Sequence, residues 1–145
     1  MGDLSKDINS KFENNRIKAM INILYTANWI SAAQIEFLKP FGISPQQYNV
    51  LRILNGAGVA LNVQTIKSRM IDRSPNVTRL MDKLCAKNFI ERLPSATDRR
   101  VVKIKITKEG KDLLESIPKD FNHDLIKNLT ESEALQLSDL LDKMR

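Results

Sequence analysis

The chain has 145 residues, 42% of them hydrophobic and 28% charged, with one cysteine and one histidine. That length suffices for a single domain with a real core, and Cys85 with His123 cannot supply a disulfide framework, a closed four-ligand zinc site or a three-histidine catalytic site. Lys and Arg outnumber Asp and Glu by 23 to 17, a net charge of +6 that favours polyanions as partners.

The charge is not spread evenly. Between residues 67 and 111 stand thirteen Lys or Arg and five acids, while the rest of the chain carries a net charge of −2. A solvated face ordinarily mixes signs, so this concentration asks for a function. No run of about 18 apolar residues predicts a membrane span. The apolar stretch from Ala19 to Ala33 is broken by Asn22, Thr26 and Asn28 and follows an acid-containing start. It therefore reads as an amphipathic helix of a cytoplasmic protein, not as a secretory signal.

In chain order, the first dozen polar residues predict a frayed start. From about Asn14, apolar residues recur near the helical period at Ile17, Met20, Ile21, Leu24 and Trp29, predicting a first helix to about Leu38, stopped by Pro40 and Gly42. Ser44 then reads as a helix cap, with Pro45 at the first helical position and Gln47 completing a capping box. Ile43 and Tyr48 are spaced as a hydrophobic staple. This second helix runs to about Leu54 and is closed by Gly56 and Gly58. Val59-Ala60-Leu61 is an edge strand or extended connector. Asn62 caps a short third helix that buries Val63, Ile66 and Met70.

After Ile71-Asp72-Arg73, Ser74 is placed as a cap and Pro75 at the first turn of a fourth helix. Val77, Leu80, Met81, Leu84 and Cys85 give that helix a complete core-facing stripe. Its other side carries Pro75, Arg79, Asp82 and Lys83, with Asn76 and Thr78 on the shoulders. The period then changes. Phe89 to Leu93 reads as a strand, Pro94 to Thr97 as a turn, and Val102, Ile104 and Ile106 alternate with Lys103 and Lys105 as a second strand. The tip of this two-stranded hairpin is Asp98-Arg99-Arg100. Thr107 caps a further helix that Pro118 interrupts or ends, and Thr130 with Glu133 forms a capping box for the last. Leu137, Leu140, Leu141 and Met144 give the last helix an apolar seam with no intrachain partner.

Two helices joined by a three-residue turn, the second with a cationic and amide-bearing outer face, form the pattern of a helix-turn-helix. Arg suits guanine and Asn suits adenine in the major groove, so Asn76, Thr78, Arg79 and Lys83 are candidate reading residues; the alternative is an ordinary solvated face. A thin hairpin with two arginines at its tip is suited to the minor groove. Asp98 beside them can orient an arginine fork through a bidentate contact.

The run Ser74-Pro75-Asn76-Val77-Thr78-Arg79-Leu80-Met81-Asp82-Lys83-Leu84, then Lys87 to Arg92, then Asp98-Arg99-Arg100 with Val102 to Thr107 and Glu109-Gly110, closely resembles the multiple-antibiotic-resistance regulator (MarR) family of winged helix-turn-helix transcription regulators. The resemblance covers roughly Ile43 to Leu114. It implies a mainly α fold with a small β-hairpin wing, and an obligate homodimer whose N- and C-terminal helices interleave. On that reading, 1–38 is a dimerisation helix region, 39–111 the DNA-binding lobe and 112–145 the C-terminal dimerisation helices, within one structural domain per chain.

The resemblance also implies Arg100 as the residue entering the minor groove, Asp98 as the residue that positions the wing, and a palindromic duplex operator as partner. It further implies repression relieved by a small, often anionic aromatic effector bound between the dimer helices and the DNA-binding lobe. Tyr25 and Trp29 are candidates for that pocket's wall, or else aromatics of the core or dimer interface. The family's usual glycine after the reading helix is replaced by Asn88, which also tolerates the left-handed conformation. Cys85 lies on the buried stripe and reads as a core residue. No cofactor or metal is expected, and no nucleophile and base pairing or phosphate-cradling loop suggests an enzyme. A sequence-independent architectural DNA-binding protein is the alternative.

Overall fold

The computed structural model describes residues 2–72, 76–98 and 100–145. The first residues do not fray. Asp3 accepts the Ser5 amide at 3.1 Å and caps a one-turn helix, α1 (Leu4–Asp7), which buries Leu4. Asp3 also lies 3.9 Å from Lys18. A local cap and one buried leucine thus fold the segment back on the next helix.

That helix, α2 (Asn15–Leu38), opens on Asn14, whose Oδ1 accepts the Ile17 amide at 3.0 Å. It passes into a 3-10 turn at Lys39–Phe41 that ends on Gly42 at φ 70°, so Pro40 lies inside the turn that stops the helix. The capping box of α3 (Pro45–Ala57) is formed as the spacing predicts: Gln47 N–H donates to Ser44 Oγ at 3.2 Å, and Ser44 N–H to Gln47 Oε1 at 3.0 Å. The helix runs through Gly56 and ends at Gly58, which takes the left-handed conformation.

The hairpin expected after the reading helix is part of a three-stranded antiparallel sheet, in the order β1 (Leu61–Asn62), β3 (Val102–Ile106), β2 (Ile90–Pro94). Leu61 pairs with Ile104, and Ile90 with Ile106. Asn62 ends β1 and also caps α4 (Val63–Arg69), accepting the Thr65 amide at 2.7 Å. Sequence periodicity alone could not assign this two-residue strand, because a pair that short is defined by its partner.

The core gathers Leu51 and Leu54 of α3, Ile66 of α4, Met81 and Leu84 of α5 (Val77–Ala86), and Ile104 of β3. In α6 (Lys108–Ser116) Thr107 Oγ1 accepts the Gly110 amide at 3.1 Å and donates to the Asn88 carbonyl at 2.7 Å. Gly110 faces the Phe89 carbonyl so closely that a Cβ there would collide with backbone. Ile117 is buried just before Pro118, beyond which α7 (Phe121–Ile126) docks on the end of α2. Phe121 stacks on Phe37 with centroids 3.6 Å apart, and Gln34 donates to Asn122 at 3.1 Å.

The last helix, α8 (Glu131–Lys143), has its Thr130–Glu133 capping box in place. It leaves Leu135, Leu137, Leu140 and Met144 exposed, and α2 likewise exposes Met20, Leu24 and Ile35. An apolar face of this extent is unusual on a solitary globular chain.

Candidate nucleic-acid interface

The amphipathic stripe of α5 is met as its spacing predicts: Val77, Met81 and Leu84 are buried, with Leu80 and Cys85 half-buried. Packing one side this way leaves Thr78, Arg79, Asp82 and Lys83 exposed on the other. The start of the helix differs from expectation. Ser74 and Pro75 lie outside the described residues, and the cap is Asn76, whose Oδ1 accepts the Arg79 amide at 3.1 Å. The Asn76 carbonyl oxygen is therefore engaged by backbone, which leaves the amide NH₂ as its outward-facing group.

The end of α5 is fixed by Asn88 at φ 63°. Asn88 N–H donates to the Cys85 carbonyl at 2.9 Å and Phe89 N–H to that of Leu84 at 3.0 Å. These are the two bonds of a Schellman motif, with Phe89 and Leu84 supplying its apolar contact. The turn delivers the chain into β2 without a longer loop.

A second link joins helix to strand. Arg92 Nη2 of β2 donates to Asp82 Oδ1 of α5 at 2.5 Å, and this bond raises the arginine's pKa above its ordinary value. The pair is exposed, so it adds little to stability.

Beyond β2, Ser95 N–H donates to the Val101 carbonyl at 3.0 Å, which closes the tip. Asp98 Oδ1 accepts the Arg100 amide at 2.9 Å. The carboxylate thus shapes the turn that carries Arg100, and a fork contact to Arg99 falls outside the described residues. The Arg100 side chain is exposed, and among the described residues no carboxylate pairs with it. Arg99 lies outside the described residues.

The outer face of α5 meets the start of α3 across an open cleft lined by Ser44, Gln46, Asp72, Asn76, Arg79 and Lys83. The capping-box spacing marks the start of α3, but only the tertiary packing of α3 on α5 places Ser44, Gln46 and Asp72 beside the cations. Tyr25 and Trp29 stand on α2, 41% and 51% exposed. Among the described residues, no group of three or more His, Cys, Asp or Glu is arranged to hold a metal ion.

A helix-turn-helix with a free polar outer face, followed by a cationic hairpin, defines a winged helix-turn-helix protein. The MarR family model matches residues 43–102. MarR of Salmonella typhimurium is 35% identical over 112 residues, covering 74% of this chain and 77% of the relative. The HTH-type transcriptional repressor MdtR of Bacillus subtilis is 32% identical over 118 residues, 79% and 76% of the two chains. The crystal structure of a MarR mutant from E. coli complexed with operator DNA superposes with a TM-score of 0.75 at 27% identity, covering 99% of both chains. The chain belongs to the MarR family of transcription regulators. No helix among its described residues is long and apolar enough to cross a membrane.

Proposed function

We propose that two copies of this chain bind a palindromic duplex, repress transcription there, and are released by a small effector. The observation that carries the reading is the α5 face: Thr78, Arg79 and Lys83 stand exposed on a helix whose other side is locked in the core, beside a wing whose tip turn Asp98 holds. Arg79 and Thr78, with the Asn76 amide and the Ser74-Pro75 entry, would meet base edges and backbone in the major groove, and Lys83 a phosphate. Arg99 and Arg100 would meet the adjacent minor groove.

The exposed apolar residues of α2 and α8 support a homodimer, because a second copy would remove them from water, Tyr25 and Trp29 among them. An effector fits a different place from the one Tyr25 and Trp29 mark. A cleft of about 390 Å³ between α2, α3 and α7 is lined by Gln34, Tyr48, Arg52 and Asn122, with the Arg52 guanidinium 5.9 Å from the Tyr48 ring centre. Cation, phenol and amides suit an anionic aromatic molecule.

Selection of bound duplexes from a random pool, followed by titration of the selected and scrambled sequences at fixed salt, tests the reading. A preference of roughly a thousandfold or more marks a sequence reader. Equal affinity for both would make the chain an architectural protein instead. Release of the selected duplex by aromatic acids, lost in Arg52→Ala, is expected for the effector cleft.

A further inference from the structure

The reading face of α5 contains an acid. Asp82 stands three residues after Arg79 and one before Lys83, its side chain 57% exposed. On electrostatic grounds a carboxylate there repels phosphate and weakens binding to any nucleic acid. The structure shows what the carboxylate holds: the guanidinium of Arg92, at 2.5 Å, on the strand that runs out to the wing.

The geometry gives this contact leverage. Helix and strand are already joined by the turn through Lys87, Asn88 and Phe89 and, on their buried sides, by the core that holds Met81, Leu84 and Ile90. Asp82 lies four residues before the last residue of α5, about 6 Å up the helix axis. Arg92 lies two residues into β2, about 7 Å along the strand. Those core contacts lie on the buried side alone, so a tie between the exposed sides, a few ångströms from the corner on each, braces the angle from the other side.

We propose that Asp82 and Arg92 are positioning residues, whose ion pair sets the angle between the reading helix and the wing so that both reach their grooves together. The proposal rests on the DNA-binding function given above.

The test compares the unaltered chain, Asp82→Ala, Arg100→Ala and the double variant on the selected and scrambled duplexes. If Asp82 were only a surface charge, removing it would tighten binding to both. The expected result has the opposite sign: Asp82→Ala weakens binding to the selected duplex on the order of tenfold and leaves the scrambled duplex bound as well or better. In addition, the loss caused by Arg100→Ala shrinks in the Asp82→Ala background, although the two residues do not touch. Arg92→Gln, which keeps Asp82, is expected to show the same reduced dependence on Arg100, and Arg92→Lys to retain most of it. Thermal melting of each variant establishes folding.

Selected-duplex affinity unchanged or raised in Asp82→Ala, or an Arg100→Ala penalty equal in both backgrounds, overturns the proposal. Failure of the unaltered chain to distinguish the two duplexes would instead overturn the DNA-binding function itself, and the proposal with it.

Discussion

Asn88 takes a conformation that side chains with a Cβ avoid, at a cost of roughly 1–2 kcal/mol for an ordinary residue. Asparagine tolerates it, and glycine does so at no steric cost. Asn88→Gly is therefore expected to be neutral or mildly stabilising in urea unfolding, and Asn88→Val to lower stability by about 1–2 kcal/mol. Arg79 and Arg100 are expected to separate by kind of loss. Arg79→Ala should cost about 1–3 kcal/mol on the selected duplex and relax its base preference; a uniform loss on every sequence would assign Arg79 to phosphate. Arg100→Ala should weaken binding and flatten its salt dependence by about one unit of slope, because one cation fewer displaces counterions. The character of these residues is legible in the chain, since a filled apolar stripe dictates which side chains of α5 face water. Their partners are not: the Asp82–Arg92 bond and the nearness of Ser44, Gln46 and Asp72 to Arg79 exist only once distant elements have packed.

Helix boundaries show the same division. The boxes at Ser44–Gln47 and Thr130–Glu133, and the caps at Asn62 and Thr107, are bonds between residues three apart, so the order of residue types suffices to place them. The cap of α5 falls at Asn76 rather than Ser74, because Asn76 is equally competent and local chemistry does not rank the two. α1 escaped periodicity since one turn is too short to display a period, while the edge strand offered at 59–61 is met in β1, displaced to Leu61–Asn62. At the start of α8 the Thr130 amide and hydroxyl hold the Glu133 carboxyl below the usual glutamate range. A lowered folded-state value favours the charged form, so its contribution is complete above the unfolded glutamate's pKa and disappears as the pH falls through the folded one. A carbon-detected titration is expected to give Glu133 a midpoint below the ordinary glutamate value, and Thr130→Val, which removes the hydroxyl but keeps the backbone donor, to reverse only part of that lowering.

For the whole molecule, the decisive fact is that two helices, α2 and α8, place large apolar side chains in water, with Leu24 59% and Leu140 61% exposed. Leu140→Glu, which introduces a charge where the single chain needs none, is expected to halve the mass in sedimentation without lowering the melting point of the DNA-binding lobe. Retention of the larger species would move the self-association surface elsewhere. The uncovered seam of α8 is legible as an unpartnered pattern, whereas α2 departs from the amphipathic helix expected there: its apolar residues recur on more than one side, only Leu38 is buried, and their order does not say which of them the chain itself will cover. The sheet stands in contrast to these sticky helices. Its outer margins are β1, with two residues, and β2, whose last residue, Pro94, has no amide hydrogen and whose middle carries Glu91 and Arg92. Margins so short and so charged offer almost no template for strand addition, so even crowded copies of this protein have little route to ribbon-like polymers.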